Sequence, residues 1–492
     1  MDSLVEVQRL LPRLGESLTF APGPKHKPTK RRFDAMRSPK RKQVKFSVAE
    51  DLPRIRQNAA GIDVGATEHW VSVSGDRSSE PVRRFGAFTG DLYALADWLK
   101  ACRIDSVAME STGVYWIPLF EILEERGFEV ALVNAKHLKN VAGRKTDWSD
   151  CQWIRIVHAY GLLSASFRPP AAIAALRAYL RHRKMLVEYA ACHVQHMQKA
   201  LMQMNLHLHH VLSDITGVTG MKILRAIFDG ERDPQRLAEL RDARVKNSEE
   251  IIAKALQGNY RPEHLFALKQ AFDLYEFYRT QIDGCDREIQ QHFQTIDSKV
   301  DLEKNPLPSS KRGKPKKKRR NEIRFDCRNE LYRVAGVDLT TVDSIDESTA
   351  LLIHGEIGQD MTPWPTEKHF TSWLNLSPNH RISGGKVLDR KTRKHKNRLR
   401  DALRICAQSL LHSQSALGAY CRRITARIGH PKGIIATARK LACLVYRLLK
   451  FGDSYVDKGQ EHYQKRYKER ALKNMARRAK ELGYQLTPMV QS

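Results

Sequence analysis

The sequence has no stretch of about 18 uninterrupted apolar residues. Even its most apolar window, Leu441 to Leu449, is broken by Arg447, which excludes a membrane-spanning helix. It has no CxxC pair. Its cysteines, Cys102, Cys151, Cys192, Cys285, Cys327, Cys406, Cys421 and Cys443, are scattered and read as small buried hydrophobes rather than zinc ligands or disulfides. Met1-Asp2-Ser3 is not followed by a basic region and an apolar core, so the expectation is no secretory signal and a cytoplasmic, nucleoid-associated protein. Acids are scarce: 55 Asp and Glu face 84 Lys and Arg, a net charge of +29. That imbalance selects polyanions as ligands, with nucleic acid ahead of an anionic membrane surface. Apolar residues are not scarce. At 41% of 492 residues they suffice for real cores, roughly three domains' worth by the usual length prior.

The positive charge is unevenly placed. Lys25 to Lys45 holds ten Lys/Arg and one acid, Asp34, which predicts a basic N-terminal arm over 1–58 that docks on phosphates. From residue 59 the pattern alternates. Ala59 to Val64, His69 to Ser74 and Val82 to Phe88 read as strands; Gly90 to Ala101 reads as a helix, Ile104 to Met109 as a strand, Trp116 to Arg126 as a helix, Phe128 to Val133 as a strand and Trp148 to Leu163 as a helix. Three strands followed by alternating helix and strand is the order of a RuvC or ribonuclease-H-like mixed sheet, here over 59–168.

Heptad spacing follows, with Leu180, Val187, Val194, Leu201 and Leu208 on one seam and Ala190, Met197, Met204 and Val211 on another. This predicts a coiled-coil helical spacer over 169–300, pairing either between chains or with Arg261 to Phe293 of the same chain. A basic linker over 301–327 contains Lys311 to Arg320, where eight of ten residues are Lys or Arg. It is expected to be exposed and to bind phosphate, through Lys311, Arg312, Lys316 and Lys317. The remainder reads as an all-α C-terminal domain over 328–457, with a Ser/Gly-rich loop before the basic stretch Lys386 to Arg404, and then a basic helical tail over 458–492. The expected fold class is therefore α/β plus α.

Four carboxylates stand where chemistry can use them. Asp63 ends the first strand in Gly61-Ile62-Asp63-Val64-Gly65, Glu110 ends the strand after Ser106, and Asp147 and Asp150 open the next helix. Separately they read as turn formers or helix N-terminal acids. Jointly they converge on one rim of such a sheet, where two Mg²⁺ ions would neutralise them for phosphoryl transfer on a nucleic-acid backbone. Ser383, in Arg381-Ile382-Ser383-Gly384-Gly385-Lys386, is a second candidate, since Arg381, Lys386, Arg390 and Lys391 would receive a phosphate beside its hydroxyl. On the local pattern alone, a plain Ser-Gly turn is the preferred reading. His193, His196, His207, His209 and His210 read as polar helix faces.

In order along the chain, Gly61-Ile62-Asp63-Val64, Met109-Glu110-Ser111-Thr112-Gly113-Val114-Tyr115-Trp116, Lys145-Thr146-Asp147-Trp148-Ser149-Asp150 and Ser383-Gly384-Gly385-Lys386 resemble the DEDD transposases of the IS110 insertion-sequence family, the bridge-RNA-guided recombinases. The resemblance covers about residues 59–168 and 328–455. It implies a RuvC-like domain in which Asp63, Glu110, Asp147 and Asp150 hold Mg²⁺, and a C-terminal domain in which Ser383 forms a phosphoserine link to DNA. It further implies donor and target double-stranded DNA and a structured guide RNA as partners. The chain would act as a homo-oligomer, a dimer or tetramer, whose protomers share the active site. Rival readings are a metal-only RuvC-like endonuclease with no covalent intermediate and a non-catalytic RNA- or DNA-binding protein. A sugar-kinase or actin-type ATPase, suggested by Asp63-Val64-Gly65-Ala66-Thr67, lacks a second Gly-rich Asp motif.

Overall fold

A computed structural model describes residues 53–134, 147–307, 318–378, 381–389, 397–452 and 457–487. Two compact units divide between Ser166 and Phe167.

The first unit is built on a five-stranded mixed sheet in the order β3-β2-β1-β4-β5. β1 (Ala59–Val64), β2 (Glu68–Ser72) and β3 (Val82–Gly86) form an antiparallel meander. β4 (Ser106–Glu110) lies parallel to β1, and β5 (Glu129–Val133) parallel to β4. Period-two alternation sorts the side chains. Ala60, Ile62, Val64, Val71, Val107 and Met109 point to one face and meet Leu92, Leu95, Ala96 and Leu99 of α1 (Thr89–Ala101) and Leu119, Phe120 and Leu123 of α2 (Trp116–Glu125). The opposite face is covered by α3 (Asp147–Ala159), whose Ile154 and Val157 pack on Ala108 and Val133.

The second unit contains two cores strung on one pair of helices. α4 (Ala171–Gln203) and, after four short helices α5 to α8 (Leu208–Val211, Val218–Phe228, Pro234–Glu239 and Glu249–Ala255), α9 (Pro262–Gln294) pair within the chain. The structure thus contains the intramolecular alternative for the heptad region. Leu186, Ala190, Met197 and Leu201 of α4 meet Leu268, Phe272, Tyr275 and Ile282 of α9, and the short helices cap that end with Ile223, Leu224, Leu237 and Ile252. At the other end Ile173, Leu176, Ile289 and Phe293 merge with the C-terminal helices. The spacer and the C-terminal segment therefore share a core. Between the two cores Arg183 Nε donates to Asp286 Oδ1 at 2.5 Å, with Asp286 only 3% exposed.

The C-terminal helices are α10 (Cys327–Ala335), α11 (Glu347–Ile357), α12 (Glu367–Trp373), α13 (Arg398–Ser409), α14 (Ala416–Ile428), α15 (His430–Phe451) and α16 (Gly459–Glu481). Capping side chains start most of them: Asp326 bonds Asn329 N, Asp346 bonds Thr349 N, Thr366 bonds His369 N, Asn397 bonds Arg400 N and Ser415 bonds Gly418 N. This part is not all-α. β6 (Arg381–Ser383) and β7 (Lys386–Asp389) form an antiparallel hairpin, because two consecutive glycines accommodate the left-handed backbone of a tight turn. Two smaller expectations also change. Cys192 is exposed, unlike the buried Cys102, Cys151, Cys327, Cys406 and Cys421. The last residues of the 311–320 basic run bind their own chain: Lys318 Nζ donates to Ile323 O at 3.0 Å, and Arg320 pairs with Asp214 at 3.1 Å.

Candidate active site

α3 is laid along β1 in the opposite direction, and three contacts fix its course. Near its C-terminus, His158 Nε2 lies 2.8 Å from Ser106 Oγ at the start of β4, and the Ala159 carbonyl accepts from Ile55 N at 2.9 Å and Arg56 N at 3.0 Å. One turn earlier Arg155 Nε donates to Ser72 Oγ at 3.3 Å. Next, α3 passes directly over Gly61. A β-carbon there would stand 2.2 Å from Arg155 N and 2.4 Å from Cys151 O, so only glycine lets the helix backbone settle at this depth. The first turn of α3 consequently lies toward the C-terminal ends of β1 and β4.

Those ends carry the carboxylates. Ile62 stands opposite Met109 in the parallel pair, so Asp63 and Glu110 are the next residues in the same register. Both belong to the α3 face of the sheet, with Trp70 of β2 opposite Asp63. Glu110 Oε1 accepts from Thr112 Oγ1 at 3.2 Å, and Ser111 N and Oγ both donate to Val133 O, at 2.9 and 3.1 Å, tying the loop after β4 to β5. Asp150 lies in the opening turns of α3 and is half-buried, as are Asp63 and Glu110. Its neighbour Cys151 registers the charge: burial pushes the thiol up to about 12, and the Asp63 and Asp150 carboxylates add to the rise. One side chain thus senses carboxylates from β1 and α3 together. The N-terminal end of a helix is also where anionic side chains are stabilised by the backbone dipoles.

Asp147 is the first residue of α3, which places Asp150 at its fourth position; the Asp147 side chain is outside the described residues. Among the described residues no group of three or more His, Cys, Asp or Glu is placed to hold a metal ion. The donor chemistry of the rim is nonetheless all carboxylate oxygen, the ligand type that suits hard divalent cations.

Ser383 occupies a different setting. It is exposed, ends β6 and pairs with Lys386 across the turn. Gly384 (φ +54°) and Gly385 (φ +74°) are both left-handed, as a two-residue type I′ turn demands. The hairpin shows Ile382 (62% exposed) and Leu388 (69%) to solvent. Arg381 begins β6 opposite Asp389, and Lys386 is exposed. Lys311, Arg312, Lys316, Lys317, Arg390 and Lys391 lie outside the described residues.

Three residues of the site carry no motif signature: Gly61 as the seat of α3, Thr112 as the hydrogen-bond donor to Glu110, and Cys151 within the field of Asp63 and Asp150. The Gly-x-Asp spacing in β1 is the one local signal for the first, since it puts the glycine on the same face as the acid.

Two family models match the chain. A DEDD transposase model of the IS110 type, described as a transposase, matches residues 60–206, which include Asp63, Glu110, Asp147 and Asp150. A second, described as transposase of the IS116/IS110/IS902 family, matches residues 337–422, which include Ser383. No individual curated protein matches. A mixed sheet with carboxylates at its rim, joined to a helical C-terminal part, is thereby defined as a DEDD transposase, an enzyme that cuts and rejoins DNA. Together the two matches support an IS110-family insertion-sequence transposase.

Proposed function

We propose that this transposase exchanges DNA strands through a phosphoserine intermediate, with a RuvC-like carboxylate site, under the guidance of a bridge RNA and as a homo-oligomer. The observation that carries the reading is the in-register pair Asp63 and Glu110 beneath the opening turns of α3, within a chain that also presents Ser383 on an exposed hairpin. Asp63, Glu110, Asp147 and Asp150 are the residues that would hold Mg²⁺. The metal would supply charge neutralisation for a leaving 3′ oxygen.

The rest is work for the protein. The Ser383 oxygen attacks phosphorus, a P–Oγ bond forms as the P–O3′ bond breaks, the hydroxyl proton passes to solvent, and the departing O3′ takes a proton from solvent to leave as a 3′ hydroxyl. Lys386, opposite Ser383, and Arg381 in β6 favour a phosphate there. Reversal with a different 3′ hydroxyl reseals the strand without hydrolysis, so no nucleotide cofactor is required. Lys311, Arg312, Lys316, Lys317, Arg390 and Lys391 add phosphate contacts, while base pairing by the RNA selects the donor and target duplexes.

The test is a denaturing-gel assay with end-labelled DNA and Mg²⁺. Wild type is expected to form a protein–DNA adduct that both Ser383→Ala and Asp63→Asn abolish. Full cleavage by Ser383→Ala, with none by Asp63→Asn, would establish the metal-only endonuclease instead.

A further inference from the structure

The tail helix α16 has eight Lys/Arg against three Glu and buries none of its residues, so a core role does not account for it. It rests on α14, and between the two is a cleft of about 610 Å³ lined by Arg422, Arg423, Arg427, Tyr463, Gln464 and Tyr467. The cations have different duties. Arg422 fastens the structure, donating to the carbonyls of Leu411 at 3.0 Å and Ser413 at 2.6 Å and to the Gln460 side chain. The Arg423 guanidinium lies 3.1 Å from the centre of the Tyr467 ring and 5.5 Å from that of Tyr463. Its Nη1 is buried and has no acceptor among the described residues. A buried N–H without an acceptor is costly, and an arriving anion removes that cost.

The surroundings are positive as well. Lys440 of α15 sits 4.5 Å from the Tyr420 ring centre, and Tyr420 meets Tyr463 edge-on. Burial pulls the Lys440 ammonium below its ordinary range, and the charges of Arg470 and Arg447 pull it further. Among the described residues no carboxylate pairs with Arg423, Arg427, Lys440 or Arg470.

We propose that the α14/α16 cleft binds single-stranded nucleic acid, with a phosphodiester at Arg423 and Arg427 and an unpaired base stacked on the tyrosine pair. Cations alone would suit any polyanion. The tyrosines decide the class, because a duplex presents phosphates but keeps its base faces stacked inside, whereas an unpaired base offers a free face to each ring. The cleft is of a size that encloses a nucleotide unit, not a helix. The proposed ligand contacts, Arg423, Arg427, Tyr463 and Tyr467, lie beyond the residues that either family model matches.

The experiment uses full-length Ser383→Ala protein without Mg²⁺, so that binding is read without chemistry and the fate of the phosphoserine reading does not affect it. Fluorescein-labelled oligouridine RNA, oligothymidine DNA and a duplex DNA are titrated by anisotropy. Adding Tyr467→Ala is expected to weaken single-strand binding by about tenfold or more while leaving the duplex within about twofold. Tyr467→Phe should restore it. Arg427→Gln should lower the slope of log affinity against log salt by about one. The two single-stranded probes identify RNA or DNA as the preferred source. 5-Iodouridine cross-linking should map to Tyr463 or Tyr467, and this readout holds even if the alanine variant disturbs α16. Unchanged single-strand affinity, an equal loss on duplex, displacement by an acidic peptide at equal charge, or cross-links that avoid both helices would each overturn the assignment.

Discussion

Replacing Gly61 by alanine tests whether the placement of α3 sets the geometry of the carboxylates. The new methyl carbon would start 2.2 Å from Arg155 N and 2.4 Å from Cys151 O, both backbone atoms that cannot rotate away. Restoring ordinary contact at 3.4 Å lifts α3 by about 1.2 Å at that crossing. The same helix carries Asp147 and Asp150, whereas Asp63 and Glu110 stay with the sheet. A misplacement of about 1 Å between groups acting on one centre costs on the order of a hundredfold in rate, and overpacking costs about 1–3 kcal/mol of stability. Strand cleavage of a plasmid bearing the element ends, in the presence of Mg²⁺, gives the first quantity, and thermal unfolding gives the second. Gly75→Ala is the control, because a β-carbon there meets nothing within 4 Å. If Gly61→Ala cleaves and melts like wild type, α3 is not seated on β1 as described, and the argument for a rim shared by three elements fails.

Further consequences are open to direct measurement. Asp286→Ala leaves Arg183, 11% exposed, without its carboxylate, and urea unfolding should register a loss of about 3–5 kcal/mol; the paired replacement Arg183→Met with Asp286→Leu should recover most of it. A loss below about 1 kcal/mol for the single variant would show that the pair bears no load. Burial, reinforced by Arg56 for His158 and by Lys299 for His354, holds both imidazoles down at about 4. Unfolding frees them to take protons near 6.5, so stability is complete above that pH and drains away as pH falls toward 4. Urea midpoints between pH 7.5 and 4.5 should follow this course, His354→Met should flatten it, and a level wild-type profile would contradict it.

Much of the first unit was legible because its burial is simple. Ala59–Val64 alternates cleanly between two covered faces, and Leu92, Leu95, Ala96 and Leu99 recur at helical spacing, so period alone separates strand from helix. The carboxylates were legible for the same reason, each standing at the end or start of such an element. The 381–389 hairpin was not. A register shift between Arg381 and Ile382 breaks its alternation, and Ile382 and Leu388 face solvent, so no hydrophobic pattern marks it. The pairing of α4 with α9 also escapes sequence, since heptads specify an apolar seam and not the chain that fills it. What decides it is the capping group α5 to α8, whose Ile223, Leu224 and Ile252 need the tips of both helices for cover.

The polar waist at Arg183 and Asp286 bears on how the chain comes together. These residues are 103 apart in sequence, so their union must await closure of a long loop. The apolar end beyond them requires shorter closures, from Leu201 through the short helices to Leu268. Assembly is therefore expected to begin at the capped tip and to run down the helix pair toward the C-terminal core, with the ion pair engaging only after α4 and α9 are aligned. A one-turn slip in that alignment would strand a buried charge, so the waist acts as a proofreading step in folding.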